Sequence, residues 1–353
     1  MKPIRRGILG IAMGMALVMA GAPAAYSTPG AGPGAADASS SEILELLGAV
    51  AAESNDPATQ VLEDVADIAA EESGSSLIDA EVGGVEIEIA ADATGGIALS
   101  DETAQVEIAL PFAERADSAV EVADGVVAYD NNNGSVTVPV VKSDGTVQVA
   151  TIIEDQGAPT MYTYDLDLGV YALPIFLDNG GIIFNDQDGA FVLGVAPPWA
   201  VDASGAAVPT HYELAGGRLT QVVDHRAAAT AYPVVADPVL GIDLFSKTKR
   251  TTSSKGFTVS ATLSWLGQAL VRSLASAPVL PGLAGTGYSV MVGAGWSELV
   301  KKQSTVNTTP MYNQYVCHVT YGWTLRLSDT WDLESWRAKN TNPATWVSKK
   351  CNW

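Results

Sequence analysis

Val85-Glu86-Ile87-Glu88-Ile89 places apolar and acidic side chains in strict alternation, the period of a strand with one buried face. Val106, Ile108 and Leu110 repeat the pattern, as do Tyr162, Tyr164, Leu166 and Leu168. Punctuating these runs are Asp124-Gly125, Asn133-Gly134, Asp144-Gly145, Gly180-Gly181, Asp188-Gly189 and Gly216-Gly217. Such pairs accept the positive φ that tight hairpin turns demand. Alternation, turn and alternation again predict an antiparallel β-sandwich-like or meander domain over residues 77–243.

Upstream, Ile43, Leu44, Leu46, Leu47 and Val50 recur at helical spacing. Val61, Leu62, Val65 and Ile68 do the same, so residues 25–76 read as a Gly/Ala/Ser/Pro linker followed by two short acidic amphipathic helices. At the N-terminus, Lys2, Arg5 and Arg6 precede the apolar run Ile8 to Ala20. Ala22-Pro23-Ala24 supplies a small-x-small cleavage site, which predicts a signal peptide over residues 1–24 and a secreted or envelope location. Arg5-Arg6 also partly matches a twin-arginine signal, so both export routes stand open. Export puts Cys317 and Cys351 in an oxidising compartment, where two cysteines pair. With the adjacent His318 they are too few for zinc, and no cofactor is expected.

The net charge of −21 hides an asymmetry. Residues 28–243 hold 4 Lys/Arg and 36 Asp/Glu, a balance of −32. Residues 244–353 hold 12 Lys/Arg and 4 Asp/Glu, a balance of +8. Either these are two solvated surfaces of different sign, or the acidic part docks on the basic part and screens it. Two acidic clusters, Asp130-Asn131-Asn132-Asn133-Gly134 and Asn185-Asp186-Gln187-Asp188-Gly189, resemble calcium loops. Neither has the closing Glu of an EF-hand, and both fall on hairpin turns.

Residues 244–353 predict a small, basic, disulfide-closed α+β domain. Phe257, Val259, Ala261, Leu263 and Trp265 alternate with Ser and Thr as a half-buried strand. Ser273 to Ser297 carries no charge, but its prolines and glycines weigh against a spanning helix. It reads as a buried segment with a helical end, Tyr288 to Val300, with membrane insertion as the other reading. Thr309-Pro310 starts a helix ending at Cys317, and Val319, Tyr321, Trp323, Leu325 and Leu327 alternate as a strand.

Two resemblances appear. Tyr232-Pro233-Val234-Val235-Ala236-Asp237-Pro238 is similar to a strand that closes a β module in secreted proteins of high-GC Gram-positive bacteria. Its two prolines predict an edge or terminal strand. Gly295-Trp296-Ser297-Glu298, Tyr315-Val316-Cys317-His318, Trp331-Asp332-Leu333-Glu334-Ser335-Trp336-Arg337 and Cys351-Asn352 together resemble an uncharacterised C-terminal domain of secreted bacterial proteins. That resemblance implies secretion and a disulfide, with no assigned activity. The chain departs from the pattern in having Trp353 where the family carries Pro.

The dense polar group of this stretch is His318, Asp332, Glu334 and Arg337. His318 and Glu334 are the candidate acid–base pair. Arg337, Asp332 and Trp336 are the candidate binding residues, the guanidinium suiting an anionic group or an internal carboxylate clasp. Nucleophile elbows, phosphate loops and HExxH are absent from the sequence. The expectation is a non-enzymatic binding or structural protein whose partner is an extracellular ligand or envelope component, not nucleic acid. Two alternatives accompany it. One is a toxin-like precursor whose acidic region restrains a basic C-terminal domain able to contact membranes. The other is a small extracellular hydrolase.

Overall fold

The computed structural model describes residues 40–53, 59–71, 74–275, 286–322, 325 and 328–353. The expected signal peptide, nearly all of the linker and the middle of the uncharged stretch lie outside them. Every strand pairing is antiparallel, and the described part is mostly β.

Two sheets form a sandwich. A seven-stranded sheet runs from Ser76–Val82 at one edge to Thr210–Ala215 at the other, and a ten-stranded sheet from Ala172–Phe176 to Val120–Ala123. Ile87, Leu99, Ile108, Tyr164 and Leu219 of the first meet Tyr129, Val147, Val149, Leu193 and Leu240 of the second in one core. Helix α1 (Ser40–Glu53) covers the outer face of the ten-stranded sheet, seating Ile43, Leu47 and Val50 on Val138, Val140, Ala150 and Ile152. Strands Ser135–Val141 and Val147–Ile153 are therefore buried along their whole length. Burial on both faces is why they read as near-continuous β-branched runs.

All six turn pairs join neighbouring antiparallel strands. Gly145 shows why glycine is needed: its φ is +87°, and a Cβ there would lie 2.6 Å from the Val82 carbonyl oxygen of the facing sheet. In the calcium-like clusters the polar side chains serve the turns themselves. Asp130 accepts from Asn132 N, and Asp186 accepts from Asp188 N and Ala190 N, at 2.7–2.9 Å.

Three local expectations are corrected. Residues 61–64 form a turn rather than a second helix, and Val65 makes an isolated bridge to Lys142. The cause is the buried Lys142 ammonium, which donates to the carbonyls of Gln60, Val61 and Glu63 at 3.3, 2.5 and 2.9 Å. Strand Val234–Asp237 is not at an edge but lies between Trp199–Val201 and Val147–Ile153. Pro233 and Pro238 stand just outside it, so its own ladder is intact. The helix that begins at Thr309 does not stop at Cys317 but runs to Tyr321, so Val319 is helical. Trp323 and Leu327 lie outside the described residues.

The C-terminal part is a three-stranded sheet, Phe245–Ser253, Gly256–Leu263 and Thr330–Glu334, with helices packed on it. These are α2 (Trp265–Ala275), α3 (Thr286–Val290), α4 (Trp296–Lys302), α5 (Thr309–Tyr321) and α6 (Pro343–Ser348), with a π-helical stretch, Met291–Gly295, between α3 and α4. Phe245, Val259, Leu299, Tyr315, Trp331 and Leu333 form its core. Ile183 and Phe191 of the ten-stranded sheet, and Leu177 just after its edge strand, belong to the same core. The join between the acidic and basic parts therefore includes apolar packing, which salt does not screen. Among the described residues no helix is long and apolar enough to cross a membrane.

Candidate functional site

The two cysteines, 34 residues apart, form a disulfide between α5 and the turn after α6. Both are fully buried and pack with Trp346. Around this staple the residues singled out in the sequence are placed one by one.

His318 projects from α5 and stacks on Trp331 with ring centroids 5.4 Å apart and planes 16° from parallel. It is 5% exposed, and neither ring nitrogen has a hydrogen-bond partner. Burial pulls its pKa down from 6.5 to about 4, so the ring is neutral near pH 7 and acts as a flat packing group. The folded value lies below the unfolded one, so its contribution to stability is complete above pH 6.5 and is lost as pH falls to about 4. Unfolding curves between pH 7 and 4 should show a loss of about 3 kcal/mol from this group. His318→Phe should remove that part of the slope, and an unchanged slope would contradict the assignment.

Glu334 and Asp332 sit on strand Thr330–Glu334. The Asp332 carboxylate accepts from Ser260 Oγ of the neighbouring strand at 2.5 Å. Glu334 pairs with Arg337 Nε. The guanidinium also donates to the Trp353 carbonyl oxygen and to Asn352 Oδ1, the latter at 3.3 Å. Arg337 thus clasps strand to chain end, with its fork occupied by the protein itself. Trp336 is half-buried beside Gly256, where a Cβ would come within 3.4 Å of the indole. Gln314, which sequence reasoning did not single out, is fully buried and bonds both backbone groups of Glu334, at 2.8 and 3.0 Å. It completes the sheet edge as an extra strand residue would. Arg337→Ala should destabilise the C-terminal part by about 1–2 kcal/mol, since the pair keeps some solvent contact. Denaturant titration checks this, and an unchanged midpoint would contradict the clasp.

Two clefts lie elsewhere, where the sandwich meets the C-terminal part. One cleft of about 740 Å³ is lined by Gln60, Glu63, Asp64, Lys247, Trp265 and Gln268, with Ser143, Ser246, Thr248 and Thr262 adding hydroxyls. A second of about 750 Å³ shares Ser246, Lys247 and Thr248 with it and sets Glu81, Glu86, Asp101 and Glu102 beside Lys301 and Lys302. Two carboxylates brace this region beside the shared apolar core. Asp144, a turn residue of the sandwich, accepts from the backbone N–H of Trp265 at the start of α2, where a negative charge suits the helix dipole. Glu298 accepts from the backbone N–H groups of Leu244 and Phe245, each at 2.9 Å. Burial lowers the pKa of Lys142 in the first cleft to about 8, the carboxylates of Asp237, Asp144, Asp64 and Glu63 pulling the other way.

Residues 261–353 match a protein family described as "Protein of unknown function (DUF2599)". No curated protein matches the chain. The matched stretch begins within strand Gly256–Leu263 and takes in α2 to α6 and the disulfide. Trp265 and Gln268 of the first cleft fall inside it, whereas Gln60, Glu63, Asp64 and Lys247 fall outside.

Proposed function

We propose that this is an exported, non-enzymatic binding protein that takes a hydroxyl-rich saccharide of the cell envelope in the cleft between its acidic sandwich and its C-terminal part. The observation that carries the reading is the lining of that cleft: one half-buried indole, Trp265, amid carboxylates, amides and hydroxyls. An indole packs against the C–H face of a sugar ring, while carboxylates and amides bond its hydroxyls with fixed direction. The signal-like N-terminus and the disulfide support export. Residues 77–243 serve as a β module presenting residues 244–353, and the Cys-His, Trp-Asp-Leu-Glu-Ser-Trp-Arg and Cys-Asn signature serves as framework.

The hydrolase alternative loses support because His318 is enclosed and Glu334 is engaged by Arg337. The precursor alternative keeps one favourable observation, the acidic wall beside Lys301 and Lys302. It also requires the sandwich to leave a shared apolar core. A glycan array probed with the intact chain tests the proposal. Binding of envelope saccharides that weakens about tenfold or more in Trp265→Ala supports it, whereas an array with no bound glycan overturns it.

A further inference from the structure

At the junction, α4 sets Lys302 against the Asp243 carboxylate and Glu298 against the backbone of the two residues that follow Asp243. Lys302 Nζ lies 2.8 Å from Asp243 Oδ2. The Asp243 side chain is 4% exposed and that of Lys302 23%. Glu298, four residues before Lys302 and so on the same helix face, is held by the backbone N–H groups of Leu244 and Phe245, immediately after Asp243. The surroundings are apolar: Ile242, Leu244, Phe245 and Leu299 are buried, and Phe191 closes the side toward the sandwich. Asp101, Lys301, Glu298 and Lys302 line a small space of about 20 Å³.

We propose that Lys302 and Asp243 condense into an intramolecular isopeptide bond, with Glu298 as the proton carrier. The step is a dehydration and needs no oxidant, reductant or cofactor. Within the ion pair a proton passes from the Lys302 ammonium to the Asp243 carboxylate, giving a neutral amine and a carboxylic acid. Burial raises the Asp243 carboxyl to about 6, which eases that transfer; burial also works against the Lys302 ammonium, but the Asp243 charge outweighs it and leaves the Lys302 pKa raised. The amine lone pair then attacks Asp243 Cγ, a C–N bond forms, and the carbonyl electrons move onto oxygen. Glu298, in its acid form, protonates the departing hydroxyl. The carbonyl re-forms, the C–O bond breaks and water leaves. The proton still on nitrogen returns to Glu298. One ammonium and one carboxylate become one amide and one water, with no change in net charge.

Three features favour the reaction. Proximity replaces a bimolecular encounter, and fixed geometry supplies a high effective concentration. Burial, followed by the charge of Asp243, raises the Glu298 carboxyl to about 8 against the pull of Lys302 and the Leu244 and Phe245 N–H groups, which favours the acid form that the protonation uses. The small space beside Lys302 and Glu298 is large enough for one water molecule. The bond would close the chain between residues 243 and 302 and weld the end of the sandwich to α4, in addition to the disulfide.

Intact mass spectrometry of the purified full-length chain, after reduction and alkylation, tests the proposal. The expected result is a mass one water below that of the sequence. Trypsin should yield the peptide 227–247 joined to one containing Lys302, with no cut after Lys302. Lys302→Arg keeps an ion pair with Asp243 and should restore the full mass. Glu298→Gln, shown to be folded by circular dichroism, should also restore it or slow its loss. A native chain at full mass, cleaved normally after Lys302, would overturn the bond. Because the native protein is already folded, that outcome does not depend on how any variant behaves. A Glu298→Gln chain that loses water as completely as the native one would overturn the assignment of Glu298.

Discussion

Trp331→Ala is expected to cost the protein about 3–5 kcal/mol, the range for deleting a large buried aromatic side chain. Trp331 is 2% exposed and is the largest fully buried side chain of the C-terminal core. Its ring meets Phe245 at 5.9 Å and Tyr315 at 5.6 Å, both edge-on, and lies flat against His318. Tyr315 is fixed in turn, donating to the Met291 carbonyl at 2.5 Å within the π-helical stretch. A cavity at residue 331 would therefore loosen the sheet, α5 and the π-helical stretch together. Chemical denaturation of the intact chain should show a lowered midpoint, with Trp331→Phe intermediate. A loss below about 1 kcal/mol for Trp331→Ala, outside that range, would place the tryptophan outside the framework.

Cys317→Ser comes next in size. Closing a loop over a separation of 34 residues restricts the unfolded chain by about 3–4 kcal/mol in the chain-entropy treatment. The contact of α5 with α6 depends on it, because Cys317, Cys351 and Trp346 form a small core of their own. Trp353 stacks over Trp346 with centroids 6.4 Å apart, and its indole donates to the Ala338 carbonyl at 2.8 Å. Thermal unfolding with and without reductant checks the prediction. Reductant should lower the midpoint of the native chain to that of Cys317→Ser and leave the variant unmoved. Coincident midpoints for the native chain in both conditions would contradict it.

Much of the fold was legible because it is written locally. Six Gly-containing turn pairs marked six hairpins, and alternation at Val85, Ile87 and Ile89 gave the buried face of its strand. Where the reading failed, a distant group had replaced a local one. The segment after Val61 has helical spacing, but Lys142, far along the chain, takes its carbonyls. In α5 two periods compete: Val319 and Tyr321 suggest a strand, while Met311, Tyr315 and Val319 share a helical face, and packing on Trp331 favours the helix. His318 and Glu334 suggested acid–base chemistry by residue type alone. Only burial and the partners of Glu334 show what each does. The junction cleft was not legible at all. It draws on residues 60–64, 142–144, 246–248 and 262–268, and Asp144 announced itself only as a turn residue.

The central claim is that binding resides in this junction cleft, while the polar stretch around Arg337 is framework. It is tested most directly by titrating one array-positive saccharide into three folded proteins: the native chain, Trp265→Ala and Glu334→Gln. Affinity about tenfold or more weaker in Trp265→Ala, and unchanged in Glu334→Gln despite its lower stability, is the predicted result. Affinity lost in Glu334→Gln and kept in Trp265→Ala would contradict the account.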